Sequence, residues 1–231
     1  MQRRSRYISI QLGVGGYQSL PTKYVDEKGY GDCKALSNYM KSMLDYKGLE
    51  SNFILVNAGK DRDDIKPEIV SNQFNHVFLA VPNDSDTVFL ECTTQLMPTG
   101  FTGTFTDDRH VLWIEQGGSQ IIKMPALDLN DNVLKSTGTL VLDKFGNGEL
   151  NLKRERGGLF FEDIQLLTSI NEGQREGYLY NQFSYKDFII RDFSYEQPKD
   201  NTNTYLTEYD LVINNVARNT SDRLLVPVHS L

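Results

Sequence analysis

The strongest constraint in this sequence is a change of hydrophobic period just after residue 33. Leu36, Tyr39, Met40, Met43 and Leu44 recur at three- and four-residue spacing, which marks one apolar face of a helix. Asp32 stands where an N-cap is wanted, Lys47 falls in the last turn, and Gly48 sits at the position that favours left-handed backbone. These features predict a helix over 33–47. The helical period then stops, and three short apolar runs follow at 53–56, 75–81 and 87–92. The second ends at Pro82-Asn83-Asp84, a turn signal, so the second and third runs are expected to pair as antiparallel strands. One amphipathic helix beside such strands specifies an α+β fold.

The rest of the chain divides around this nucleus. Residues 6–12 read as extended and end at the turn Gly13-Val14-Gly15-Gly16, and 17–31 read as an irregular approach. Residues 59–72 are polar and read as a surface loop that borders a site. The stretch 93–125 is turn-rich, with one strand over 110–114, and Pro125 marks a boundary between a core at 1–124 and a β-rich domain at 125–231. In that second part 139–154 reads as a hairpin turning at 144–148, 160–181 as a helix, and 186–196 and 204–214 as strands. Its aromatics Phe160, Phe161, Tyr178, Tyr180, Phe183 and Tyr185 read as core and edge-strand residues rather than a sugar-binding platform.

Composition removes several classes of function. A chain with 39% hydrophobic and 24% charged residues has the make-up of a packed globular protein. The net charge of −7 and the scattered Lys and Arg argue against nucleic acid and against an anionic membrane surface as partners. No apolar run of about 18 residues is present, so no transmembrane helix is expected. The basic start, Met1 to Arg6, lacks the apolar stretch of a signal peptide. Two cysteines, Cys33 and Cys92, are too few for a disulfide framework or a Cys-rich zinc site. His76, His110 and His229 form no metal-binding spacing, and the glycine cluster lacks the Gly-Lys-Ser/Thr of a phosphate loop. No metal or organic cofactor is implied.

What remains is a nucleophile with partners. Cys33 opens the predicted helix, where the macrodipole favours a thiolate. His76 opens a strand, and Glu91 closes the next one. Pairing across a turn centred near residue 84 gives facing residues that sum to about 168, and 76 and 91 sum to 167, which makes the imidazole and the carboxylate neighbours on one face. A thiol, a base and a carboxylate that orients the base are the parts needed for acyl transfer. Cys92 alternates with Glu91 and is expected to face a core. A Cys33–Cys92 disulfide would silence the nucleophile. Asp32 reads as the N-cap, and Lys34 as solvated or as a partner of the thiolate.

The segments Gly31-Asp32-Cys33-Lys34-Ala35-Leu36-Ser37, Met43-Leu44-Asp45-Tyr46-Lys47-Gly48-Leu49, Asn75-His76-Val77 and Phe89-Leu90-Glu91-Cys92-Thr93-Thr94 resemble, in order and spacing, the transglutaminase-like superfamily. The resemblance covers roughly residues 25–97. It implies a papain-like core with a Cys33, His76, Glu91 triad, followed by a β-rich, sandwich-like domain. Glu91 stands where the family has Asp, Cys92 where Pro is common, and Val77 where a small residue often follows the His. The lead-in from Arg6 to Gly16 and the Gly-Asp-Cys-Lys wording resemble a bacterial, often exported subgroup with a β-rich domain on each side of the core. That implies a preceding domain outside this chain and last strands beyond Pro227. The implied activity is attack of Cys33 on an amide carbonyl of a peptide or protein substrate, with a thioester released by water or by an amine; hydrolysis is the favoured outcome. The backbone N–H of Cys33 is the first expected oxyanion donor, and the second is a side chain from the preceding segment, Gln11 ahead of Gln18. A catalytically silent binding or scaffold module of the same fold is the competing expectation.

Overall fold

The computed structural model describes residues 1–10, 13–84, 86–198, 203–220 and 222–227. The fold is α+β with mainly antiparallel sheets. The chain forms two compact units, Met1–Leu127 and Asp128–Leu231.

Unit 1 opens with β1 (Arg6–Tyr7), a 3-10 turn over Gly13–Gly16 and α1 (Thr22–Lys28), followed by β2 (Tyr30–Gly31), which pairs parallel with β1. The long helix α2 runs Cys33–Tyr46. Five strands then make one antiparallel sheet: β3 (Asn52–Val56), β4 (His76–Asn83), β5 (Asp86–Leu90), β6 (His110–Glu115) and β7 (Gly118–Lys123), in the order β5-β4-β3-β6-β7.

Local chemistry explains α2. The Asp32 carboxylate accepts the Ala35 N–H and the Asp32 carbonyl accepts the Leu36 N–H, so the N-terminus is capped. At the other end Gly48 has φ 72°, and the N–H groups of Gly48 and Leu49 donate to the carbonyls of Asp45 and Leu44. That is the Schellman closure a left-handed glycine permits. Gly31 serves packing: a Cβ there would stand 2.8 Å from the Ala35 Cβ and 3.4 Å from Val25 Cγ2, so glycine lets β2 lie close against α1 and α2.

The sheet of unit 1 is buried on both faces around β4. On one face Leu79 packs with Val25, Ala35, Leu36 and Cys92 beneath the helices. On the other, Phe78 and Ala80 pack with Ile54, Val56, Val111, Trp113 and Met124. This explains the continuous apolar run from Val77 to Val81, which a one-sided strand would not show. A buried hydrogen bond crosses from helix to sheet: the Ser37 hydroxyl donates to the Val77 carbonyl at 3.1 Å.

Three expectations for this unit need correction. Residues 22–28 are helical rather than irregular; one short helix with a single buried residue, Val25, leaves little periodicity to read. β7 was expected as turn, yet it pairs with β6 from His110↔Lys123 to Glu115↔Gly118, and Gly117 at φ 99° makes the reversal. β5 ends at Leu90, so Glu91 and Cys92 follow the strand rather than finishing it.

Unit 2 contains β8 (Leu134–Leu142), β9 (Gly148–Gly157), α3 (Leu159–Gln165), α4 (Glu172–Tyr180), β10 (Phe188–Glu196) and β11 (Thr204–Ile213), with a small hairpin of β12 (Arg218–Thr220) and β13 (Arg223–Leu225). The first four strands form an antiparallel sheet in the order β10-β11-β9-β8. Leu150, Leu152, Tyr209, Leu211 and Ile213 are buried on one face, and Phe161, Ile164 and Leu167 of the helical segment are buried with no exposed surface. Among the described residues this is one sheet with helices against it, not the expected two-sheet sandwich. The helical segment supplies the second apolar layer, so a second sheet is not required. The helix expected over 160–181 is broken: a 3-10 turn occupies Leu166–Thr168, and Asn171 restarts the chain as α4 with a reciprocal capping box to Gln174.

The Ser37–Val77 bond generates the first prediction. Ser37→Ala leaves a buried carbonyl without its donor, so urea unfolding of unit 1 should show a loss of about 1–3 kcal/mol. A change near zero would mean that the apolar contacts alone dock α2.

Candidate functional site

The candidate site lies where the N-terminus of α2 meets the start of β4. Ser37 is tied to Val77, and Cys33 is one helical turn earlier, which brings it to the strand end where His76 sits. Cys33 is half-buried, and both cysteines are free thiols. Cys92 is buried among Val25, Ala35, Leu36 and Leu79, and its thiol is pushed up to about 12, by burial first and then by the charge of Glu91. It is therefore a packing residue with little thiolate character at neutral pH.

His76 Nε2 lies 2.8 Å from Glu91 Oε2. The route differs from the expected facing pair. The β4–β5 ladder pairs Leu79 with Leu90 and Ala80 with Phe89, so its facing residues sum to 169. Continued past the end of β5, this register sets residue 93 opposite His76 and leaves Glu91 on the diagonal. A diagonal neighbour is farther away than a facing one, and the extra methylene of Glu over Asp supplies reach.

Glu91 is 7% exposed, and each of its oxygens is used. Oε2 meets His76, while Oε1 accepts the Thr93 N–H at 2.7 Å and the Thr93 hydroxyl. A buried carboxylate with all three bonds made is held in one orientation, and it holds the imidazole in turn. Around the ring, Phe105 stands edge-on at 5.5 Å between centroids and Phe78 is stacked at 6.2 Å.

The electrostatics of His76 follow from this setting. Burial disfavours the imidazolium, but hydrogen bonding to Cys33 and Glu91 and the charges of both outweigh it and raise the ring to about 9. Glu91 is thus hydrogen-bonded to the ring, and Cys33 acts on it electrostatically. Beside the nucleophile, Asp32 would oppose a thiolate if its charge were free. The Lys34 ammonium pairs with that carboxylate, so Lys34 is a partner of the N-cap rather than solvated.

Three residues in this arrangement were not singled out from sequence. Thr93 completes the shell of Glu91. Asn75 locks the approach to His76: its side-chain oxygen accepts the Ala58 N–H and its NH2 donates to the Ala58 carbonyl. Arg109 donates to the carbonyls of Asn57, Gly59 and Arg62, which fastens the polar loop that precedes β4. Thr93 and Asn75, adjacent to the predicted triad, carried the one available signal, since residues flanking a base and its acid are where orienting bonds arise. Of the oxyanion candidates, Gln11 lies outside the described residues, as does His229, and Gln18 is exposed. His110 is apart from the triad, with its Nδ1 2.6 Å from Asp64 Oδ2. Among the described residues no group of three or more His, Cys, Asp and Glu is arranged to hold a metal ion, and no helix is long and apolar enough to cross a membrane.

Comparison with known proteins adds no name to this site: no protein-family model, curated protein or solved structure matches the chain.

The raised His76 gives the second prediction. A folded-state value of about 9 lies above the 6.5 of an unfolded histidine. The stability contributed by the charged ring is therefore complete below about pH 6.5 and is lost as pH rises through about 9. An NMR titration of the His76 ring should show a midpoint near 9, and Cys33→Ser should lower it by weakening the interaction with residue 33 that helps raise the ring. A midpoint at or below 6.5 in the unaltered protein would mean that the three groups do not act on one another in solution.

Proposed function

We propose that this protein is a cysteine-dependent acyl-transfer enzyme that cleaves an amide bond of a peptide or protein through a thioester, with Cys33 as nucleophile, His76 as acid and base, and Glu91 as the group that orients His76. One observation carries the reading: an imidazole raised to about 9 is hydrogen-bonded to a buried carboxylate, and it stands at the end of the strand onto which the N-terminal turns of α2, with their half-buried thiol, are docked. The sequence resemblance to the transglutaminase-like superfamily, with its papain-like core, supports the same roles.

The chemistry follows from the charges. With the His76 ring raised to about 9, it is an imidazolium at neutral pH, and in the proposed reaction the nucleophile is the thiolate form of Cys33. The thiolate attacks the carbonyl carbon, and the C=O electron pair moves onto oxygen. The first backbone N–H groups of α2 have no partner within the helix, and the N–H of Cys33 would stabilise that oxyanion. As the tetrahedral centre collapses, the C–N bond breaks and His76 gives its proton to the leaving amine. His76, now neutral, takes a proton from water as the water attacks the thioester, and the acid product leaves with the thiolate restored. Glu91 keeps Nε2 occupied, so the other ring nitrogen is the one that exchanges protons with Cys33 and substrate.

The test uses alkylation and acylation together. With Cys92→Ser as background, iodoacetamide at pH 6.5 should label Cys33 about tenfold or more faster than in the His76→Ala variant, because an ordinary thiol of pKa ~8.5 is only about 1% ionised there. Glu91→Gln should fall between the two. p-Nitrophenyl acetate should leave one acetyl group on Cys33, seen by mass spectrometry and removed by hydroxylamine. Labelling of Cys33 at the rate of a free thiol, unchanged by His76→Ala, together with no acetyl adduct, would return the chain to a silent binding module.

A further inference from the structure

We propose that unit 2 carries a second, separate binding site, for a carboxylate group, anchored on Arg154 and Tyr185. The alternation of β9 buries Leu150 and Leu152 and so carries Arg154 and Arg156 onto the same covered face, where they are 9% and 4% exposed. A guanidinium stays charged in any protein setting, and burying one is costly unless an anion compensates it. The ion pairs of unit 2 among the described residues join Lys153 to Glu208, Arg191 to Glu149 and Arg223 to Asp222. None of them uses Arg154 or Arg156.

The two arginines differ in what they have left to give. Arg156 is spent on neutral acceptors: Nη1 donates to Thr207 Oγ1 at 3.0 Å and to the Tyr209 hydroxyl at 3.3 Å, and Nη2 donates to Gln182 Oε1 at 3.1 Å. Arg154 keeps a buried Nε with no acceptor. Its guanidinium carbon is 5.1 Å from the centre of the Phe183 ring and 5.7 Å from that of Tyr209. Burial first, and the like charge of Arg156 second, work against its positive charge.

The unpartnered atoms point one way. Tyr185 has a buried hydroxyl with no partner, as Arg154 has its Nε, and the Tyr185 ring is stacked, 6.3 Å between centroids, on the same Phe183 ring that Arg154 lies over. The other unpartnered buried side-chain atoms of unit 2 are Gln165 Nε2 and Arg175 Nε. All four can donate and none is an obligate acceptor, so this layer has a surplus of donors and of positive charge and a shortage of acceptors. One uncommitted guanidinium N–H and one hydroxyl match the two oxygens and single charge of a carboxylate, whereas a phosphate dianion brings a second charge and tetrahedral bulk into a ring-lined space. Gln182, Phe183 and Tyr185 are half-buried, so this end of the layer lies nearer the surface than the core residues Leu150 and Leu152.

The experiment titrates the whole chain with sodium acetate, with sodium chloride at equal ionic strength as reference and sodium phosphate as a second probe. It follows the Arg154 Nε–H signal by NMR and the thermal midpoint of unfolding. Acetate should shift that signal saturably and raise the midpoint above the chloride reference, since a ligand held by the folded state alone stabilises it. Tyr185→Phe and Arg154→Lys should each weaken acetate binding by about tenfold, the loss of one charge-assisted hydrogen bond. No saturable shift in the unaltered chain would overturn the proposal whatever the variants do. An acetate response unchanged in either folded variant, or a phosphate response as strong as that to acetate, would equally overturn it.

Discussion

The docking of the first turns of α2 onto the start of β4 is the constraint on which the rest of unit 1 depends. Ala35 and Leu36 pack against Leu79 and Cys92, and the buried Ser37–Val77 bond fixes how far along the strand the helix sits. A slide of one helical turn, about 5 Å, would take Cys33 out of reach of His76. Gly31 serves the same end, because any larger residue would push β2 away from Val25 and Ala35 just before the nucleophile.

The candidate site then depends on polar groups that are satisfied in series. Glu91 is buried, yet His76 and Thr93 meet both of its oxygens, so its charge is oriented rather than stranded. Asp32 is buried as well, and it is used twice, by the Ala35 N–H and by Lys34. Unit 2 offers the contrast. Arg154 and Arg156 are both withdrawn from water, but Arg156 has acceptors within the chain for both of its terminal nitrogens while the Nε of Arg154 has none. Buried carboxylates with their acceptors met in one unit and a buried guanidinium short of an acceptor in the other are different physical states of buried charge.

Much of unit 1 was legible because its signals are local. A helix with an Asp N-cap, a 3.6-residue apolar stripe and a Gly48 terminator declares its ends within fifteen residues. The strands β3, β4 and β6 show as apolar runs. α1 leaves little trace in the sequence because seven residues with one buried side chain carry almost no period, and β7 because Gly118, Ser119 and Gln120 look like turn. In unit 2 the Lys153-Arg154-Glu155-Arg156 run looks like a solvated surface. Only the phase inherited from Leu150 and Leu152 puts two of its four residues inside.

The sequence by itself determined the α+β class, the position of α2 and the order of Cys33, His76 and Glu91, since helix caps, hydrophobic period and chain order are properties of neighbours in the chain. The tertiary structure decided the rest: that Glu91 reaches His76 from beyond the end of β5, that Thr93 and Asn75 lock the two residues, that Lys34 belongs to Asp32, and that helices rather than a second sheet cover unit 2. These depend on strand register and on which buried polar groups find one another. Both are settled only when distant segments compete for the same interior.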